Sequence, residues 1–233
     1  MITTTAVFGN TGLVGAEILS TLLALDACKT VYTISRRQPK AESPKLNVTI
    51  EPDSTKWTSI LSSLSPFPSI VFSAVGTTRL QAGGIQNQWK IDHDLNVEIA
   101  KSARASGAKT FVFVSSAGTR GLLANHMPYS QMKQGVEDKI KELDFEQAII
   151  LRPGLLLGHR EVSRTGEGAA IALARCIGRL SQAAQDMFAQ EADVIARAAV
   201  SATRIAAEGK APNKYWVLEA ADIIRLGRTE WKA

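Results

Sequence analysis

The sequence predicts a single α/β domain: a Rossmann-like, doubly wound parallel sheet with a small, mostly helical C-terminal cap. Short β-branched or apolar runs alternate with longer helical stretches, and the first run leads directly into a glycine-rich turn. Near-continuous apolar strands are typical of parallel sheets covered on both faces, and the alternation indicates right-handed βαβ units. A chain of 233 residues suits one such domain, which we divide into a dinucleotide-binding core at 1–158 and a cap with substrate-side elements at 159–233.

Each element is justified by its own apolar pattern. The predicted strands are 4–8, 30–35, 47–50, 69–74, 110–115 and 147–152, and the predicted helices between them are about 13–25, 56–64, 86–106 and 130–143. After residue 158 the pattern changes to Ala-rich helical sequence at about 167–208, a late strand at 214–218 and a short helix at 219–226. We interpret this tail as a cap over the carboxyl edge of the sheet, where substrate would bind.

The composition excludes several classes of protein. With 45% hydrophobic and 21% charged residues, the chain is neither disordered nor a polytopic membrane protein. The net charge of +5 is spread along the chain without a basic arm, so no nucleic-acid partner is predicted. Cys28 and Cys176 are far apart and the three histidines are scattered, which argues against a metal site or a disulfide framework. No early positive charge and no long apolar run are present, so we expect neither a cleavable presequence nor a membrane span.

The first predicted strand ends at a GxxGxxG turn, which a helix follows. Glycine allows the bare backbone to approach a pyrophosphate, and the phosphate then lies on the amides of the helix N-terminus. The alternative is a tight strand–helix turn without a ligand, but the position at the start of the sheet favours a dinucleotide site. The glycines of this candidate site are Gly9, Gly12 and Gly15.

The second predicted strand ends in Ser35, Arg36 and Arg37, where an NAD site would place an Asp or Glu for the ribose hydroxyls. Two guanidinium groups can instead pair with a 2′-phosphate, which a carboxylate would repel. NADP(H) is therefore the predicted cofactor. The alternative is that the arginines are solvated loop residues.

The candidate catalytic residues are Ser116, Tyr129 and Lys133. Ser116 follows the fifth predicted strand, and Tyr129 and Lys133 form a Tyr-xxx-Lys pair on one face of the next helix. A lysine ammonium beside a phenol favours proton exchange with a carbonyl or alcohol oxygen, and a serine hydroxyl can hold that oxygen. The adjacent Ser115 leaves the choice of serine open.

Together these motifs resemble the atypical short-chain dehydrogenase/reductase family, specifically its fungal mitochondrial-proteome branch, which is related to the mammalian Tat-interacting protein oxidoreductase. The resemblance covers nearly the whole chain. The motifs that carry it are GNTGLVG at 9–15, SRR at 35–37, DSTKW at 53–57, GTTR at 76–79, KIDHDLN at 90–96, SSAG at 115–118, YSQMK at 129–133, LRPG at 151–154 and LGRTEW at 226–231.

The resemblance implies roles for further residues around the cofactor. The pyrophosphate would be lined by Thr11, Gly12, Leu13 and Val14, and the 2′-phosphate would be bound by Arg36 and Arg37. The ribose would face Val75 and Gly76. The nicotinamide would be flanked by Tyr129, Lys133 and Leu156. Arg164 matches a family arginine that contacts NADPH from the far side, although a surface arginine is the alternative. Asp53 could accept a hydrogen bond from the adenine amino group or could cap a helix.

The resemblance also implies a peripheral protein on the cytosolic face of the mitochondrial outer membrane, with a cytoplasmic location as the alternative. The stretch 169–179, which mixes apolar residues with Arg175 and Arg179, could rest on a lipid surface or pack as a cap helix on the sheet or on a sister subunit. A homodimer through the helices at 86–106 and 130–143 is compatible with the sequence.

The leading hypothesis is an NADPH-dependent oxidoreductase that transfers hydride between NADP(H) and a small carbonyl or alcohol substrate. The alternative is an NADPH-binding regulatory or sensor module with little or no turnover, which acts through a protein partner. A membrane-attached scaffold with a vestigial site is a third hypothesis, and the intact glycines and arginines argue against it. The sequence names no substrate.

Overall fold

A computed structural model of the chain, which describes residues 2–121, 124–158, 178 and 181–232, contains a seven-stranded parallel sheet and a separate two-stranded parallel sheet. The strands in chain order are β1 Thr4–Phe8, β2 Thr30–Ser35, β3 Leu46–Ile50, β4 Ile70–Ser73, β5 Thr110–Val114, β6 Gln147–Leu151, β7 Leu155–Leu157, β8 Ala189–Glu191 and β9 Tyr215–Leu218. The seven strands predicted from the sequence are present, each within one residue at either end.

The order of the large sheet is β3-β2-β1-β4-β5-β6-β9, and β7 pairs with β8. The chain moves outward from β1 to β3 on one side and then from β4 onward on the other, so the direction reverses between β1 and β4. Ligands of open α/β sheets bind outside the carboxyl ends of the strands at such a reversal. The predicted Rossmann-like fold is confirmed.

Helices cover both faces of the sheet. They are α1 Leu13–Ala24, α2 Trp57–Ser63, α3 Arg79–Ala82, α4 Ile85–Trp89, α5 Asn96–Ala105, α6 Pro128–Glu142, α7 Gln182–Asp186, α8 Ala192–Ala207 and α9 Ala220–Ile224. A π-helical segment, Lys90–Leu95, joins α4 to α5, and a second one, Arg225–Thr229, follows α9. None of the helices in the described ranges is both long and apolar enough to cross a bilayer.

Alternate residues of each central strand enter two separate apolar clusters. Val7 of β1 packs in the cluster that contains α1 and α8, whereas its neighbour Phe8 packs in the cluster that contains α2, α5 and α6. Val112 and Phe113 of β5 divide in the same way. Successive side chains of a strand point to opposite faces, so burial on both faces explains why these strands contain runs of consecutive apolar residues.

The C-terminal region differs from the predicted cap in two respects. The Ala-rich stretch is not continuously helical, because β8 lies within it and pairs with β7 just beyond β6. In addition, α8 packs on α1 at the sheet face and β9 extends the large sheet beside β6, so these two elements do not lie over its carboxyl edge. Helical periodicity identifies an apolar stripe but not the surface that covers it, and the buried alanines of α8 fit a tightly packed layer.

Candidate active site

The turn between β1 and α1 requires glycine for steric reasons. Gly9 has a φ of +78°, and a Cβ built on it would lie 2.6 Å from the backbone carbonyl of Ala74. A Cβ on Gly15 would lie 2.1 Å from the carbonyl oxygen of Gly9, which also accepts a 2.8 Å hydrogen bond from the Gly12 amide. A side chain at Gly9 would therefore push the turn away from the segment after β4, and a side chain at Gly15 would push the first turn of α1 away from the glycine turn.

The N-terminus of α1 has no cap of its own. The N-cap residue is Gly12, no side chain caps the helix, and its first turn carries no acidic residue. Its first backbone amides, those of Leu13 and Val14, can therefore bind an anion with the help of the helix dipole. Next to them, Asn10 is only 1% exposed, and neither its side-chain nitrogen nor its oxygen has a hydrogen-bond partner among the residues that the structure describes. The glycine turn, the backbone amides at the start of α1 and the buried side-chain amide of Asn10 together fit a pyrophosphate group. Thr11 is half-buried in the same turn.

The end of β2 carries two free cations. Arg36 and Arg37 are exposed, and neither forms an ion pair or side-chain hydrogen bond with any described residue. The buried Ser35 shapes this turn, because its hydroxyl donates a 2.8 Å hydrogen bond to the Arg37 carbonyl. The guanidinium groups are therefore available to an external anion.

Asp53 caps the 3-10 turn Ser54–Lys56. Its Oδ1 accepts hydrogen bonds from the Thr55 amide at 3.0 Å and from the Thr55 hydroxyl at 2.7 Å. These bonds favour the charged form and lower the pKa of the Asp53 carboxyl. The capping alternative thus has direct geometric support, while the contact with adenine stays a prediction.

The loop after β4 approaches α6. Val75 is buried and Gly76 is exposed, and a Cβ on Gly76 would lie 3.1 Å from Asp92 Oδ1 and 4.0 Å from Lys133 Nζ. Asp92 holds this loop, because it accepts a 3.1 Å hydrogen bond from the Thr77 amide.

Asn96 fixes the same loop from the helix side. Its oxygen accepts a 2.6 Å hydrogen bond from the Ser73 hydroxyl, and its side-chain nitrogen donates to the carbonyls of Val75, Ile91 and Asp92. A side chain bonded to these carbonyls is a local cause for the π-helical segment that precedes α5. The carboxyl end of β4 is thereby fixed beside the lysine of α6.

Lys133 and Tyr129 occupy one face of α6. Lys133 is 4% exposed, donates a 3.1 Å hydrogen bond to the carbonyl of Val114, and lies 4.7 Å from the centre of the Phe113 ring. Tyr129, one turn earlier, is 38% exposed. The helix thus carries a buried lysine side chain, held at the end of β5, and an accessible phenol one turn away, a combination that can serve proton transfer to a bound oxygen.

The structure distinguishes the two adjacent serines. The Ser115 hydroxyl donates a 2.6 Å hydrogen bond to the buried carboxylate of Glu137, and its amide donates to the Leu151 carbonyl. Ser116 is half-buried, and within the described part of the chain its hydroxyl makes only a marginal 3.5 Å contact with the Ala117 carbonyl. Ser116 is therefore the serine whose hydroxyl is free for a substrate oxygen.

The sequence analysis did not identify Glu137, which lies one turn beyond Lys133. It is fully buried and accepts hydrogen bonds from Ser115, from Arg152 at 2.6 and 3.2 Å, and from Arg120 at 3.5 Å. Arg152 also donates to Glu219 at 2.9 Å, and these bonds raise the pKa of Arg152 above its ordinary value, the bond to Glu137 contributing most. The i, i+4, i+8 spacing from Tyr129 was the only sequence signal for this residue.

The segment after β6 continues the site on the far side. Leu156 in β7 is half-buried against the cluster that contains α1, and the Gly154 amide donates a 2.7 Å hydrogen bond to the side chain of Gln190 in β8. Gln190 is fully buried and was not identified from the sequence. Arg164, Cys176 and the stretch 169–179 lie outside the described residues, apart from position 178.

The predicted residues divide into three groups along the carboxyl edge of the sheet. The glycine turn lies at β1, the two arginines at β2, and Ser116, Tyr129 and Lys133 at β5 and α6, next to Gly76 after β4. Asp53 follows β3 at the outer end. Among the described residues, no group of histidine, cysteine and carboxylate side chains could hold a metal ion.

Comparisons with known proteins agree with this architecture. Residues 5–187 match the NAD dependent epimerase/dehydratase family. The protein fmp52-2, mitochondrial, of Aspergillus oryzae is 61% identical over 232 residues, which cover 99% of each chain. The protein FMP52, mitochondrial, of Chaetomium globosum is 59% identical over 227 residues, which cover 97% of each chain.

Solved structures are similar in fold at low identity. The Bordetella bronchiseptica enzyme WbmF in complex with NAD+ matches with a TM-score of 0.66 and 15% identity, over 94% of this chain and 73% of that one. A UDP-glucose 4-epimerase with UDP-glucose from Thermotoga maritima matches with a TM-score of 0.66 and 13% identity, over 99% and 84%. The chain belongs to the NAD-dependent epimerase/dehydratase family, and within it to the group of fungal proteins named FMP52.

Proposed function

We propose that the protein is an NADPH-dependent oxidoreductase of the atypical short-chain dehydrogenase type, which interconverts a small carbonyl compound and its alcohol. The observation that carries the proposal is the position of Lys133. Its buried ammonium is fixed at the end of β5, lies beside the Gly76 loop, and is one turn away from the accessible Tyr129. A site that couples hydride transfer to proton transfer needs a lysine, a phenol and a loop that faces the cofactor, and this chain supplies all three at one end of the sheet.

The choice of NADP(H) rests on this chain's own residues. The family description names NAD, and WbmF was solved with NAD+, but at 15% identity that structure supports the fold alone. Here β2 ends in two arginines and no carboxylate, and their guanidinium groups have no partner among the described residues. A guanidinium pair attracts a 2′-phosphate, whereas a carboxylate at that place would accept from ribose hydroxyls.

Each catalytic side chain has one task in this proposal. The chemistry that NADPH supplies when bound is a hydride for the carbonyl carbon. Tyr129 donates its phenolic proton to the carbonyl oxygen, and Lys133 stabilises the phenolate that remains. Ser116 donates a hydrogen bond to the same oxygen and orients it, while Ser115 stays bonded to Glu137.

Calorimetry tests the cofactor directly. The wild type should bind NADPH more tightly than NADH, and Arg36→Ala and Arg37→Ala should each weaken NADPH binding about tenfold or more and leave NADH binding unchanged. Lys109→Ala is the matched control, since it removes one positive charge at the opposite, amino end of β5. Equal binding of both nucleotides would contradict the choice of NADP(H), and no binding of either would remove the proposal.

Turnover separates the enzyme from the sensor module. Aldehydes, ketones and quinones are screened for NADPH oxidation, with Tyr129→Phe as the control. The variant should keep its NADPH affinity and lose at least about a hundredfold in kcat, because general acid catalysis contributes that much. NADPH binding without any turnover would instead support the regulatory alternative and a protein partner.

We further propose a peripheral location on the cytosolic face of the mitochondrial outer membrane. The proposal is supported by the fungal relatives, whose names include the word mitochondrial, and by the family resemblance. Protease treatment of intact mitochondria tests this proposal, because a protein on the cytosolic face is digested while matrix proteins survive. Release by alkaline carbonate would then distinguish a peripheral protein from an integral one.

A further inference from the structure

The large apolar and aromatic side chains that are most exposed share one edge of the molecule. Met187 is 80% and Leu80 is 71% exposed, which is unusual for residues of this size. Four of the six such residues in the described ranges lie at or after the carboxyl ends of β3, β4 and β5, and the other two precede β8 beside the segment that follows β6; the six are Ile50, Leu80, Met127, Tyr129, Met187 and Phe188. The edge that carries the candidate site is therefore also the apolar edge.

Most of these side chains come from segments that follow three neighbouring strands. Leu80 lies in α3, after β4, and Met127 is the residue before α6, two positions from Tyr129. Met187 and Phe188 precede β8, and the Phe188 carbonyl accepts a 2.8 Å hydrogen bond from Leu155, just beyond β6. Because β4, β5 and β6 are adjacent in the sheet, the segments that carry these side chains leave the same part of the sheet edge as the segment that leads to Tyr129 and Lys133.

Three described arginines, Arg120 after β5, Arg152 after β6 and Arg228 after α9, are paired with carboxylates. Their partners are Glu137 and Asp138 for Arg120, Glu137 and Glu219 for Arg152, and Asp186 for Arg228. A phosphate-bearing substrate needs unpaired cations or amides, and these guanidinium groups offer none. Arg79 has no partner among the described residues. It is exposed beside Leu80 at a shallow depression of about 400 Å³, and a single cation there is not enough to bind a diphosphate.

We infer that the substrate is a lipophilic carbonyl compound, an aldehyde or ketone on a hydrocarbon body without phosphate or sugar. The inference rests on the proposed oxidoreductase function. The carbonyl oxygen lies at Tyr129 and Ser116, and the hydrocarbon body contacts Leu80, Met127 and Met187. Apolar contact then supplies the affinity that charged groups supply in a site for nucleotide sugars.

The test measures binding of primary alcohols, from butanol to decanol, to the protein saturated with NADP+. Calorimetry should show affinity rising about threefold to fourfold for each added methylene until the apolar surface is covered. Leu80→Ser and Met187→Ser, at exposed positions that can change without unfolding the chain, should flatten this dependence. Ile50→Ser is the matched control, because Ile50 is also apolar and exposed, at 51%, but lies at the end of β3.

Three results would overturn the inference while leaving the proposed function intact. The first is NADP+ binding with alcohol affinity independent of chain length. The second is displacement of octanol by UDP-glucose. The third is a loss of binding to phosphatidylcholine vesicles in Leu80→Ser and Met187→Ser without any change in alcohol affinity, which would make this edge a membrane contact. Failure to bind any nicotinamide dinucleotide removes the proposed function, and the inference with it.

Discussion

The two ends of the candidate site use arginine in opposite ways. At the end of β2, Arg36 and Arg37 are exposed and have no partner among the described residues. At the ends of β5 and β6, Arg120 and Arg152 converge on the buried carboxylate of Glu137. The arginines after β2 are therefore available to a ligand, whereas the arginines after β5 and β6 that converge on Glu137 stabilise the fold.

The difference shows that the number of cations at a sheet edge does not measure its affinity for anions. A guanidinium that is already bonded to a carboxylate cannot pair with a phosphate without leaving that carboxylate uncompensated. The buried group on the catalytic side joins the ends of β5 and β6 to α6, and so determines where Tyr129 and Lys133 lie.

The largest effect is expected for Glu137→Ala. Removal of this buried carboxylate leaves Arg152 without its main partner and the Ser115 hydroxyl without an acceptor. We expect a loss of about 3–5 kcal/mol in the free energy of unfolding, measured by urea denaturation. Glu146→Ala is the control, because its exposed pair with Lys109 at 3.6 Å should contribute little. Similar losses for both variants would contradict a structural role for the buried carboxylate.

A smaller loss in the free energy of unfolding is expected for Gly15→Ala. The new methyl group would lie 2.1 Å from the Gly9 carbonyl oxygen, so the turn and α1 must separate. Overpacking of this kind costs about 1–3 kcal/mol, and the displaced amides should also bind NADPH more weakly. Gly121→Ala is the control, since its nearest neighbour would be 3.5 Å away. Unchanged stability and unchanged NADPH binding in Gly15→Ala would show that the cradle is not tightly packed.

The backbone part of the site could be predicted from the sequence because its causes are local. The apolar run of β1 and the glycine spacing after it specify a turn in which Gly15 approaches the carbonyl of Gly9. Tyr129 and Lys133 follow from helical spacing, which also places them on one face. Each of these features depends on residues that are close in sequence.

The remaining features depend on partners that are distant in sequence. Glu137 was not identified because a charged residue on a helix is usually solvated, and its partners Ser115 and Arg152 come from two different strands. The choice between Ser115 and Ser116 stayed open for the same reason. The strand β8 escaped prediction because it has three residues and the buried Gln190, whose partner is the Gly154 amide.

A still smaller and pH-dependent effect is expected at Asp53. Hydrogen bonds from Thr55 lower the pKa of this exposed carboxyl, so its contribution to stability is present above the unfolded-state value, near 3.9, and is lost as the pH falls through the lower native value. The melting temperature of Asp53→Ala should therefore lie below that of the wild type at pH 7, and the gap should close in acid. Asp26→Ala, which removes an exposed carboxylate without a hydrogen bond in the described residues, should show no such gap. A gap that widens in acid would contradict the cap.

The smallest effect is expected for the double variant Arg36→Ala, Arg37→Ala in the absence of cofactor. Since these guanidinium groups have no partner among the described residues, their removal should leave the urea midpoint unchanged, whereas Arg152→Ala should lower it clearly. Saturating NADPH should then raise the midpoint of the wild type far more than that of the double variant, because a ligand stabilises only the folded state that binds it. A double variant as unstable as Arg152→Ala would mean that both ends of the site use arginine to hold the chain. Arg36 and Arg37 would then not be available to a 2′-phosphate, because a guanidinium group that is bonded within the fold cannot also bind the cofactor.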